Sequence, residues 1–149
     1  MASASVTCTI APEVLKDLNE FRLKKSSDNM QVYVAKIDRD SHTVIHDETF
    51  EDISFDELIE ELPDDSPRYV VVSYFLAHDD GRVSYPLVFI YYCPLTSALQ
   101  ARMLYASTQQ MFGKEAGLGK SYMLQDKDDL NKDWLESNLT RFSSNSMSM

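Results

Sequence analysis

Long apolar runs are missing from this chain: none approaches the roughly 20 residues needed to cross a bilayer, so no membrane span is expected. The start of the chain has neither a basic region nor a sustained apolar stretch, so no secretory signal is expected either. Cys8 and Cys93 are the only cysteines, too few and too far apart to suggest a metal or disulfide framework. That scarcity fits a soluble protein of a reducing compartment. Histidine is also rare; three in all leave few bases near neutral pH for a catalytic constellation. Positive charge is in deficit, with 14 Lys and Arg against 24 Asp and Glu. The net charge of −10 argues against a general nucleic-acid or membrane binder.

What is present centres on two apolar runs, Tyr69 to Leu76 and Leu87 to Cys93. Both are rich in β-branched and aromatic residues and too continuous for half-exposed strands. They read as central strands covered on both faces. The polar stretch between them contains Asp80-Gly81, which supplies the positive-φ position that turns one strand back on the other.

Around this hairpin the 149 residues read as one domain, long enough to bury about two thirds of the surface of the unfolded chain. Residues 1–11 read as a flexible N-terminal arm, 12–140 as the folded domain, and 141–149 as a disordered tail rich in Ser and Met. Pro12 suits a first helical turn, and Val14, Leu15, Leu18 and Phe21 form an apolar stripe behind it. Gln31 to Ile37 and Thr43 to Phe50 read as strands around Asp38-Arg39-Asp40-Ser41. Ser54 and Glu57 form a capping box for a short helix that Pro63 ends. A long helix is expected from about Thr96 to Phe112, with Leu99, Met103, Leu104 and Met111 on a broad apolar face. A short strand at Tyr122 to Leu124 and a last helix holding Leu130, Trp134 and Leu135 complete the order. The expected fold class is α/β of the α+β type: a mixed central sheet of about five strands with helices on both faces.

Charge is unevenly spread. Ten acidic residues and no Lys or Arg fall between Asp47 and Asp65, a pattern that fits a solvated acidic face. Arg22, Lys24 and Lys25 crowd the end of the first helix, where cations either complement the helix terminus or meet a partner. Chemistry is weakly signalled. Gly119-Lys120-Ser121 resembles the end of a phosphate-binding loop, but position 114 is Lys114 instead of the required glycine, and the segment follows a helix. It reads as a helix exit. His42 and His46 share a strand face without metal-ligand spacing. Neither catalysis, a cofactor nor a metal site is indicated.

The string His78-Asp79-Asp80-Gly81-Arg82-Val83-Ser84-Tyr85-Pro86-Leu87 resembles the hairpin of the glia maturation factors, within the actin-depolymerising-factor homology family. Phe21-Arg22, Lys36-Ile37-Asp38, Glu61-Leu62-Pro63, Met103 to Ala106 and Trp134-Leu135 extend the likeness over residues 6 to 140. The resemblance implies a monomeric, cofactor-free protein that binds the actin-related protein 2/3 complex, opposes branch nucleation, promotes debranching and does not sever filaments. It implies two partner-binding surfaces. The first takes in Ser3, Ser5, Arg22, Lys24, Lys25, Gln100, Arg102, Met103, Ser107 and Thr108, with Ser3 and Ser5 as candidate phosphorylation sites. The second is the loop Asp79, Asp80, Gly81 and Arg82, with the last helix beside it. Spacing alone leaves Met103 open as a core residue, and Asp79 and Asp80 as simple turn formers. Gln109 and Met111 stand where glia maturation factors commonly carry lysines, and Tyr105-Ala106-Ser107-Thr108 is closer to the run in depolymerising factors. An actin monomer or filament binder of the same fold is therefore the alternative.

Overall fold

The computed structural model describes residues 8–23 and 30–147. A six-stranded mixed sheet forms the middle layer, in the order β1 (Thr9–Ile10), β3 (Thr43–Ile53), β2 (Met30–Asp38), β4 (Arg68–Ser73), β7 (Leu87–Tyr92), β8 (Ser121–Leu124). Strands β5 (Leu76–Ala77) and β6 (Val83–Ser84) form a separate two-stranded ribbon at the end of the central hairpin. Helices α1 (Pro12–Phe21) and α3 (Leu99–Glu115) cover one face, and α2 (Phe55–Glu61) and α4 (Lys132–Met147) the other.

The continuous apolar runs are buried on both sides, as their composition demands. In β4, Tyr69 and Val71 join the α1–α3 core while Val70 and Val72 join the α2–α4 core. In β7, Phe89 and Tyr91 alternate in the same way with Val88 and Ile90. Successive side chains of a strand point to opposite faces, so a double-covered strand has no solvent side for polar residues.

Hydroxyls lock the helices to this sheet. Tyr69 is wholly buried, stacks on Phe112 with ring centroids 5.0 Å apart, and donates its O–H to the Tyr105 carbonyl at 2.6 Å. The Tyr105 hydroxyl in turn accepts the Ile37 amide at 2.9 Å. Burial raises the pKa of both phenols, so they stay protonated and neutral. On the other face the Tyr92 O–H donates to the Pro63 carbonyl at 2.6 Å, and burial pushes its pKa up to about 12.

Several boundaries differ from expectation. Residues 8–11 belong to the fold instead of a flexible arm: Cys8 is 2% exposed, and β1 pairs in parallel with β3 through the Thr9 amide on the His42 carbonyl at 2.9 Å. This adds a strand to the count. The long helix starts at Leu99, not near Thr96, because the Thr96 hydroxyl is engaged by the Asp64 carbonyl and the Ser97 amide closes a turn on Pro94. Helix α4 runs on through Met147, beyond the boundary drawn at residue 140. The capping box at Ser54 and Glu57 is complete, and α2 ends just before Pro63.

Candidate partner-binding surfaces

Helix α3 is held to the sheet through Tyr105, Thr108 and Phe112, so its opposite stripe faces solvent. On that stripe Leu99 is 66% and Met103 62% exposed, with Gln100 and Ser107 exposed beside them and Arg102 half-buried. The apolar face expected from Leu99, Met103, Leu104 and Met111 is therefore not the buried one: Leu104 and Met111 are half-buried and the other two project outward. Met103 is not a core residue. Thr108 is corrected in the opposite sense. At 2% exposure, three residues after Tyr105 and four before Phe112, it lies on the core stripe and offers nothing to a partner. Its hydroxyl is buried without a hydrogen-bond partner.

Leu99 and Met103 border a cleft of about 460 Å³ between α3 and β8, whose floor includes Tyr91 and whose far wall carries Met123. Met123 is 53% exposed, and neighbouring Leu95 62%. Four of the six exposed large hydrophobic residues among those described thus lie on or beside this edge of the molecule. Leu95, Leu99 and Met123 were missed as contact candidates. The signal available for them was the aromatic pair Tyr105 and Phe112, which already supplied α3 with a core stripe.

Arg22 joins the two elements of this surface. Its guanidinium donates to the Ala116 carbonyl at 2.7 Å, placing a cation at the C-terminus of α3. Gly117, at φ +68°, lets it approach: an added Cβ there would lie 3.2 Å from Arg22 Nη2. Ser3, Ser5, Lys24 and Lys25 lie outside the described residues.

The second surface is the ribbon tip. The Gly81 amide donates to the His78 carbonyl at 3.0 Å and the His78 amide to the Arg82 carbonyl at 2.8 Å. With Gly81 at φ +93°, this closes a three-residue hairpin loop around a left-handed glycine. Asp79, Asp80, Gly81 and Arg82 are all exposed. Asp80 accepts both the Arg82 amide at 3.1 Å and the Arg82 Nε at 2.7 Å. The backbone hydrogen bond from Arg82 holds the Asp80 carboxyl below the usual carboxylate range. His78 Nε2 lies 2.8 Å from Ser84 Oγ, across the ribbon.

The remaining motifs have structural places. The Gly113–Ser121 segment is a helix exit, with the Leu118 amide on the Gly113 carbonyl at 2.8 Å and Gly117 and Gly119 at positive φ. Most of the acidic stretch is exposed on β3, α2 and the turn after it. Asp47 is half-buried, taking Arg68 Nε at 2.9 Å and Lys36 Nζ at 3.7 Å. Among the described residues no group of His, Cys, Asp or Glu is placed to hold a metal.

A mixed sheet between two helix pairs, an outward-facing long helix and a projecting ribbon define the class. Residues 7–140 match the family described as cofilin/tropomyosin-type actin-binding protein. Within that class the chain belongs to the glia maturation factors. It is 42% identical to glia maturation factor of Drosophila melanogaster over 132 residues, covering 89% of this chain and 95% of that one. It is 39% identical to human glia maturation factor beta over 142 residues, covering 95% and 99%. The solution structure of glia maturation factor from Caenorhabditis elegans superposes with a TM-score of 0.77 at 37% identity, over 92% of this chain and 99% of that one.

Proposed function

We propose that the protein regulates the actin cytoskeleton by binding the actin-related protein 2/3 complex, inhibiting branch nucleation and promoting debranching, and that it does so by binding alone, without catalysis. Family membership supports this reading. The observation that carries it is Met103: a large apolar side chain held 62% exposed on a rigid helix, beside Leu99 and Arg102. An apolar anchor with an adjacent arginine is the composition of an interface hot spot. The ribbon tip is the second contact in this reading, acting on the daughter filament after α3 has docked. In this reading added negative charge at Ser3 or Ser5 is expected to weaken binding to an acidic partner surface. The reading sets the protein in the cytoplasm at the actin cytoskeleton, with the nucleus as a further compartment.

The second reading, direct binding of actin monomers or filaments, is favoured by the Tyr105-Ala106-Ser107-Thr108 run and the missing lysines at Gln109 and Met111. Imaging branched and unbranched filaments side by side separates the two. The proposed function predicts shortened branch lifetimes with unbranched filaments left intact. Fragmentation or shortening of unbranched filaments at the same concentration contradicts it.

A further inference from the structure

A cleft of about 470 Å³ opens where the connection from α2 to β4 meets the turn between β2 and β3. Lys36 and Arg39 line it from β2 and that turn, Ser66 and Arg68 from the connection and the start of β4, and Tyr105 closes it from the inward side of α3. Asp38 and Asp40 are the carboxylates on its wall. Arg68 is a fixed cation here: its Nε donates to Asp47 at 2.9 Å and its Nη1 to the Pro67 carbonyl at 2.7 Å. Lys36 Nζ lies 3.7 Å from Asp47, too far for a hydrogen bond, so its donors can turn into the cleft. Arg39 is exposed at the turn and can fold over the mouth. Asp38 is already engaged by the Asp40 amide at 3.3 Å and the Ser41 hydroxyl at 2.8 Å.

Ser66 is half-buried, follows exposed Asp64 and Asp65, and precedes buried Pro67. Its hydroxyl reaches Asp65 at 3.4 Å, the long end of the hydrogen-bond range. Ser66-Pro67 is the only Ser-Pro or Thr-Pro pair in the chain. Proline biases the residue before it toward an extended backbone, the form in which a kinase takes up a substrate segment. We propose that Ser66 is phosphorylated by a proline-directed protein kinase and that the phosphoserine is seated in this cleft by Lys36, Arg39 and Arg68. In the transfer, Ser66 Oγ bonds to the γ-phosphorus of ATP, the γ-phosphorus bond to the bridging oxygen breaks to release ADP, and the hydroxyl proton passes to the kinase's base. The phosphoryl group brings close to two negative charges and three acceptor oxygens, which one fixed and two movable cations can match. Turned the other way it would meet Asp65, and Asp64 whose carboxylate holds Lys127 Nζ at 2.5 Å. The cleft lies off the exposed stripe of α3 and off the ribbon, so the inference does not rest on recognition of the branch complex.

The test incubates the full-length protein, and a peptide of residues 62–70, with a purified mitogen-activated protein kinase and ATP. Both should take up one phosphate at Ser66, located by mass spectrometry, and Ser66→Ala protein none. Phosphorus NMR then follows the phosphoserine through its second ionisation, ordinarily at about pH 6. In the folded protein the midpoint should fall roughly one unit below that of the same protein in urea, because neighbouring cations favour the dianion. Asp38, Asp40, Asp47, Asp64 and Asp65 act in the opposite direction, so a phosphate left among them would titrate at or above the unfolded value. Lys36→Ala with Arg39→Ala should remove most of the shift. Should that variant fail to fold, about 1 M salt applied to the natural protein should shrink the same shift. Modification of the peptide but not of the folded protein, a peptide left unmodified, or phosphate that persists in Ser66→Ala would overturn the proposal. So would a midpoint at or above the unfolded value, or a shift unchanged by the folded double variant or by salt.

Discussion

Met103 keeps 62% of its surface in solvent, so truncating it removes few contacts with the core and, on the proposed function, those with a partner. Met103→Ala is expected to change unfolding stability by no more than about 0.5 kcal/mol. A buried methionine would lose about 2–5 kcal/mol, and chemical denaturation distinguishes the two. Thr108 is the converse case. Its hydroxyl is desolvated without a partner, so Thr108→Val should leave affinity unchanged and raise stability by about 1 kcal/mol. A loss of affinity in a folded Thr108→Val protein would put Thr108 back on the contact surface. Arg22 carries a third expectation: Arg22→Ala should loosen the end of α3 and cost about 1 kcal/mol, read by denaturation and by faster amide exchange near Ala116. Thr108 was placed on the contact side by its position in a family run, while helical spacing from Tyr105 and Phe112 put it inside. Residue runs inherited from relatives carry no face information; the period of 3.6 does.

Elements are where the sequence was most readable. The double-covered hairpin, the capped helix α2 and the glycine turn follow from local rules: β-branched continuity, the Ser54–Glu57 pair and the positive φ of Gly81. The capping box gives a pH expectation. The Ser54 amide and hydroxyl hold the Glu57 carboxyl below its ordinary value, so the folded pKa is depressed. Its contribution is present above the unfolded value and lost as pH falls through the folded one, and Glu57→Gln, which removes the titrating carboxyl that accepts the Ser54 amide, should flatten that acid limb of the denaturation profile. The start of α3 and strand β1 were not readable locally, because both depend on distant backbone partners, the Asp64 carbonyl and β3. The ribbon tip makes its own test. Asp79→Ala, Asp80→Ala, Arg82→Ala with Gly81 retained should fold normally, because all three side chains are exposed. Branch lifetimes at saturating concentrations of this variant should return toward those without protein. Normal debranching by the folded variant would mean that the loop is only a turn.

At the scale of the whole molecule, the two proposed surfaces sit on different parts of one rigid sheet. The α3 stripe lies beside edge strand β8, and the ribbon projects from the central pair β4 and β7. On the proposed function, docking and detachment should therefore be impaired separately. The acidic face on β3 and α2 contributes most of the net charge of −10, which suits repulsion from unrelated acidic surfaces and makes any charged contact sensitive to salt. The measurement that tests the central claim most directly is affinity for the purified actin-related protein 2/3 complex and for actin filaments at one ionic strength, using the natural protein and Arg102→Ala, Met103→Ala. The account predicts tighter binding to the complex than to filaments, and a loss on the order of 2 kcal/mol in the double variant, with its denaturation midpoint nearly unchanged. Equal or tighter binding to filaments, or full affinity in the double variant, would contradict it.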